Sequence, residues 1–198
     1  MKHIRTFLAA LTICIATAAS AATPAWLPAK AQLSAKSPYY EIYIQSIQEA
    51  DEEDQASVVA IWVKDLRNNT VKKLFTTNPL TEPRWGDMKD GNAVSVPLNS
   101  IASAEKVFFV PYDVHTIIVQ GCPDLRNVWS YIINLEKQTA KQLCSTSGLV
   151  GFSNEACYII MESYRYNTDP EVGGRFPVLK VFDQQGKFIK ELELPSGE

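Results

Sequence analysis

The sequence predicts an all-β fold made of antiparallel four-stranded meanders, and three observations carry that prediction. From Tyr39 onward, short runs rich in Ile, Val, Tyr, Phe and Thr alternate with polar turns, and no helical period interrupts them. A twelve-residue pattern occurs three times without a gap, as "VKDLRNNTVKKL" at 63–74, "IINLEKQTAKQL" at 132–143 and "VFDQQGKFIKEL" at 181–192. Each copy has an aliphatic first residue, Asp or Asn third, Lys tenth and Leu last. Finally, "DVHTIIVQ" at 113–120 aligns with "EACYIIMES" from 155 at a step of 42 residues, the length of one four-stranded unit.

Taken in chain order, residues 1–22 read as an export signal. Lys2, His3 and Arg5 precede the apolar run "FLAALTICIATAA", and the small residues that follow suit cleavage after Ala21 or Ala22. The run has 13 residues, short of the roughly 20 that span a bilayer, and no second long apolar stretch follows. The expectation is an exported protein, periplasmic or secreted, without a membrane span. Residues 23–38 mix Pro, Ala and Ser without a stable period and read as a linker or N-terminal arm. Residues 39–198 then form a single β domain, with predicted strands at 40–48, 57–63, 70–76 and 93–97 in the first unit. The second unit takes 106–111, 114–121, 128–135 and 139–144, and the third 148–152, 156–165, 177–183 and 187–194.

The repeat explains itself as a β-hairpin: an apolar strand, an Asx residue that accepts backbone N–H groups and starts a turn, then a return strand ending in Leu. The segments "IWVKDLRNNTVKKL" and "LKVFDQQGKFIKEL" resemble the last hairpin of a blade in TolB-like and WD-type β-propellers. The resemblance implies a propeller-like array of about three blades, fewer than the four to eight that close a ring. A β-sandwich or barrel in which the three hairpins share one core is the alternative. Three units leave the two outer sheets without a neighbour on one side. A homodimer forming a six-unit ring, a partner protein, or the arm around Trp26 and Leu27 would cover those faces.

Removing Lys2 and Arg5 leaves 17 basic against 22 acidic residues, a net charge of −5. Nucleic acid is therefore not an expected partner. Cleavage also leaves the three cysteines Cys122, Cys144 and Cys157. Export favours a disulfide; Cys122 and Cys144 both follow strands of the middle unit and are the expected pair, with Cys157 a buried thiol.

Catalytic and metal chemistry find little to build on. There is no GxSxG, and His115 is the one histidine of the mature chain, expected at an edge or facing solvent. Neither "EADEEDQ" at 49–55 nor "GDMKDGN" at 86–92 has the spacing of a calcium loop. No catalytic residue, metal or cofactor is expected, and the reading is a non-catalytic binding or interaction module for an unknown protein or glycan. The alternative is a secreted glycan hydrolase using loop carboxylates such as Asp87, Asp113 and Glu162, held about 5–10 Å apart.

Two segments are the binding candidates. The long loop at 77–105 carries "EPRWGD", where Arg84, Trp85 and Asp87 set an aromatic face beside fixed charges. In "YRYNTDPEVGGRF", Tyr164, Tyr166 and Arg175 bracket a Pro- and Gly-containing turn.

Overall fold

A computed structural model describes residues 27–48, 57–111, 113–123, 127–153, 157–166 and 174–194. The signal, Trp26 and the acidic loop at 49–55 lie outside the described residues.

Among the described residues, thirteen strands make three antiparallel sheets. The first is a meander of β1 (Ala31–Lys36), β2 (Tyr40–Gln48), β3 (Val58–Asp65) and β4 (Thr70–Thr76). The middle sheet has five strands, β5 (Val94–Val96), β6 (Lys106–Val110), β7 (Asp113–Gly121), β8 (Trp129–Asn134) and β9 (Thr139–Gln142), in the spatial order β5-β9-β8-β7-β6. The third is again a meander, of β10 (Leu149–Phe152), β11 (Ile159–Tyr166), β12 (Arg175–Phe182) and β13 (Phe188–Glu193). This is the propeller-like arrangement of about three blades.

The repeats are the hairpins β3–β4, β8–β9 and β12–β13, and their turn chemistry is as expected. Asp65 Oδ1 accepts the Arg67 N–H at 2.9 Å, Asn134 Oδ1 accepts that of Lys137 at 2.8 Å, and Asp183 Oδ1 accepts those of Gln185 and Lys187. Each turn then passes through the left-handed region, at Asn69, Gln138 and Gly186, with φ of 57°, 53° and 81°.

Strand alternation decides what lies between the sheets. The first residue of each repeat points towards the following sheet, and the second points back. Val63 and Leu74 thus join Ile117, Val119, Tyr131 and Ile133 in a core between the first and middle sheets. Ile132 and Leu143 join Ile118, Ile159, Met161 and Phe182 in a second core between the middle and third sheets. Each fully buried aliphatic or aromatic side chain here contributes about 1.5–3 kcal/mol relative to exposure.

Four expectations need correction. Residues 31–36, read as part of an arm, form the outer strand β1, whose sequence "AQLSAK" has little of the β-branched or aromatic character that marks a strand. The strand expected at 93–97 in the first unit pairs instead with β9, through Val94–Gln142 and Val96–Ala140, and widens the middle sheet. No disulfide joins Cys122 to Cys144: β8 lies between the strands they follow, and two strand spacings put them roughly 9–10 Å apart, beyond the ~7 Å a disulfide tolerates. Cys157 is half-buried in the turn before β11, at φ 51°, and is not a core thiol.

Two tyrosines give the fold a measurable alkaline limit. Tyr131 is buried in the first core, where its hydroxyl accepts the Ala102 N–H at 3.3 Å, and burial pushes its phenol up to about 12. Burial, then the hydrogen bond its hydroxyl donates to Glu41 at 2.8 Å, pushes the Tyr43 phenol up to about 12 as well. A raised phenol favours the neutral form in the folded state, so its contribution is complete below the unfolded value near 10 and is lost as pH climbs from about 10 to about 12. Denaturant melts across that interval are expected to show a loss of stability that shrinks in Tyr131→Phe. An unchanged slope in that variant would count against this origin.

Candidate functional site

The three hairpin turns gather at one end of the stack, where a cleft of about 340 Å³ opens between the first and middle sheets. Tyr40 at the start of β2, Asp65 and Arg67 in the first repeat's turn, Lys72 on β4, and Glu136 in the second repeat's turn line it. Residues far apart in sequence meet here because the meanders return every turn to the same edge.

Arg67 organises the cleft. Its guanidinium holds both carboxylate oxygens of Asp65, Nε to Oδ1 at 3.0 Å and Nη2 to Oδ2 at 2.7 Å. Nη2 also donates to the Tyr40 hydroxyl at 2.6 Å, and Nη1 reaches Glu136 Oε1 at 3.5 Å. The same group lies 5.1 Å from the Tyr40 ring centre and 5.7 Å from that of Tyr39, within the range of a cation–π contact. His115 closes the set from β7. Its Nδ1 lies 3.1 Å from the Tyr40 hydroxyl and 3.1 Å from Glu136 Oε1, and its ring stacks on Tyr39 at 6.3 Å.

The electrostatics follow from these contacts. The hydrogen bonds from Arg67 hold the Asp65 carboxyl below the usual carboxylate range, and those to Asp65 raise Arg67 further. Burial, opposed by Arg67, raises the Tyr40 phenol. The result is a guanidinium fixed in place by a carboxylate and two aromatic rings, beside the half-exposed carboxylate of Glu136. Such an array is already ordered before any ligand arrives.

A second cleft of about 290 Å³ occupies the equivalent place between the middle and third sheets, lined by Asp113, Asn134, Lys137, Lys141 and Gln185. Lys141 Nζ crosses it to donate to the Gln185 carbonyl at 2.8 Å.

The sequence-predicted residues fall elsewhere. Arg84, Trp85 and Asp87 form a single 3₁₀ turn in which Arg84 and Asp87 pair with each other. Trp85 packs edge-on against Trp129 with ring centres 6.1 Å apart, and the Arg84 N–H binds Gln142 Oε1 at 3.2 Å, so this turn fastens the long loop to the middle sheet. Tyr164, Tyr166 and Arg175 do come together on the outer side of the third sheet: Tyr166 pairs with Arg175 across the strands, and the Arg175 guanidinium lies 4.6 Å over the Tyr164 ring. The carboxylates of Asp87, Asp113 and Glu162 belong to three separate places: the 85–87 turn, the start of β7 and the outer side of β11.

His115 is half-buried against Tyr40 and Glu136, beside the first cleft, rather than at an edge or in solvent. Sequence reasoning missed it and Arg67 because their shared partner, Tyr40, lies 75 and 27 residues away. The available signal was the fifth position of the repeat, which is Arg67, Glu136 and Gln185 in turn. Among the described residues, no group of three or more His, Cys, Asp or Glu is placed to hold a metal, and no helix is long and apolar enough to cross a membrane.

No protein-family model matches the chain, and no curated protein sequence matches it significantly. Among solved structures it is similar to the β-propeller domain of the Trilobed protease from Pyrococcus furiosus, which is described as having an open velcro topology. The identity is 14%, the TM-score 0.47, and the match covers 85% of this chain and 44% of that one. The chain thus spans less than half the length of the structure it matches.

Proposed function

We propose that this chain is an exported, non-catalytic binding module that takes a protein segment or glycan at the turn end of the stack. The observation that supports it is the Arg67 cluster, in which four polypeptide segments bring Tyr40, Arg67 and Glu136 to the lining of one open cleft, with Tyr39 and His115 packed against them. Tyr and Arg held rigidly at a concave surface are the residue types that dominate recognition interfaces. Export rests on the amino-terminal segment, whose basic start, apolar run and small residues have the form of a cleavable signal.

The test is binding of the purified protein to an oligosaccharide array and to the proteins of the exported fraction. Tyr39→Ala and Arg67→Ala are each expected to weaken the captured interaction by about tenfold or more, as for residues at the centre of an interface. Trp85→Phe, which keeps the loop packed, is expected to leave it unchanged. A ligand held equally by wild type and Arg67→Ala would overturn the assignment of this cleft.

A further inference from the structure

We infer that the outer face of the third sheet is a dimer interface, covered by the same face of a second copy of this chain. The argument rests on repeat positions that point towards the following sheet, namely the first, tenth and twelfth. In the first two copies these meet a neighbour: Leu74 and Leu143 are buried, and Lys141 reaches across to the Gln185 carbonyl of the third sheet at 2.8 Å. The third copy keeps the same residue types at Val181, Lys190 and Leu192, with no further sheet packed on them among the described residues; Val181 is buried by its neighbours on the strand face, whereas Lys190 and Leu192 are exposed. Leu192 is 41% exposed where Leu143 is 0%. Around it, partly exposed Ile160 and Leu179 extend an apolar surface that no other described residue covers, bordered by the Tyr164 ring under Arg175.

The opposite outer face, on the first sheet, is built differently. The second position of the repeat points back, and is fully buried as Ile133 and Phe182 in the copies that have a preceding sheet. In the first copy it is Lys64. Around it polar groups satisfy one another: Lys36 pairs with Glu41 at 2.9 Å, and Trp62 Nε1 donates to Gln45 Oε1 at 2.9 Å. Closing a six-unit ring would press Lys64 into a position that is apolar and buried in both other copies, at the cost of desolvating its charge. The expected six-unit ring is therefore replaced by pairing of third sheet with third sheet.

Charge complementarity selects a second copy as the occupant. Glu162 lies on β11 at the level of Leu179 and Leu192, and Lys190 lies on β13 at the level of Val181, so the two flank β12 on opposite sides. A twofold axis parallel to β12 lays β11 of one copy over β13 of the other. Glu162 then falls within a lysine's reach of the partner's Lys190, and the pair occurs twice around an apolar centre.

Sedimentation equilibrium of the purified protein at about 50 µM, above the micromolar dissociation constants at the weak end of standard interfaces, is expected to give a dimer. Leu192→Asp is expected to give a monomer with an unchanged circular dichroism spectrum and melting curve, since that side chain is already exposed in the single chain. Glu162→Lys and Lys190→Glu are each expected to weaken the dimer by about tenfold, and the double exchange to restore it. A monomeric wild type, a dimer that survives Leu192→Asp, or a double exchange that fails to restore association overturns the inference. A dimer broken by Lys64→Glu and untouched by Leu192→Asp overturns it in favour of the ring.

Discussion

Replacing Phe182 with alanine is expected to lower the unfolding free energy by about 3–5 kcal/mol, whereas Lys64→Ala, at the same position of the first repeat, is expected to change it by no more than about 0.5 kcal/mol. Phe182 is fully buried among Ile118, Ile132, Ile159 and Met161, with its ring set edge-on against Phe188 at 5.9 Å. Removing it leaves a cavity that the flanking strands cannot collapse into, because both are fixed by their ladders. Lys64 faces outward from the first sheet and loses no core contact on truncation. Urea unfolding of the two variants decides the matter: equal midpoint shifts would mean that the third sheet does not pack on the middle one as described.

Gly121→Ala is the second large effect. A Cβ at Gly121 would stand 2.4 Å from Ser103 Oγ, 2.6 Å from Ser103 C and 2.7 Å from Ala104 N. Two of these are backbone atoms of a buried segment tied back to β7 by the Glu105 N–H, which binds the Gln120 carbonyl at 2.6 Å. The clash can be relieved only by parting the start of β6 from β7, at a cost of about 3 kcal/mol, the upper end for overpacked cores. Gly148→Ala and Gly151→Ala, where nothing lies within 4 Å of the added carbon, serve as controls expected to unfold like the wild type.

The sequence made the hairpins legible because their information is local. An Asx residue three positions into each copy sets the turn, and alternation in "VFDQQGKFIKEL" assigns faces without knowledge of the rest of the chain. What could not be read was pairing across long separations. Strand β1 has a weak pattern of its own and is held by β2, whose Tyr43 and Ile44 supply the apolar partners. Strand β5 is three residues long, too short for any period, and its place is decided by β9. Arg67 and His115 looked like a turn residue and a strand residue, and only the stacking of two sheets brings both to Tyr40. Trp85 and Arg84 had the composition of a recognition site, but the same aromatic and polar groups serve equally well to fasten a loop to a core, and here they do.

The placement of β5 also imposes an order on synthesis. Every strand of the first and third sheets pairs with its immediate neighbour in the chain, so those ladders close over short separations and quickly. Val94, by contrast, has no ladder partner until Gln142 has been made. At a translation rate of about 5–20 residues per second, that wait lasts roughly 2–10 s. Throughout it, the loop that carries β5 hangs from a finished first sheet, and the nascent middle sheet grows from β6 towards β9 with its last edge open. Docking of β5 is the step that ends the exposure of that edge, which makes the ribosome-bound intermediate lacking β9 the form of this chain most vulnerable to proteases and to pairing with a neighbouring nascent chain.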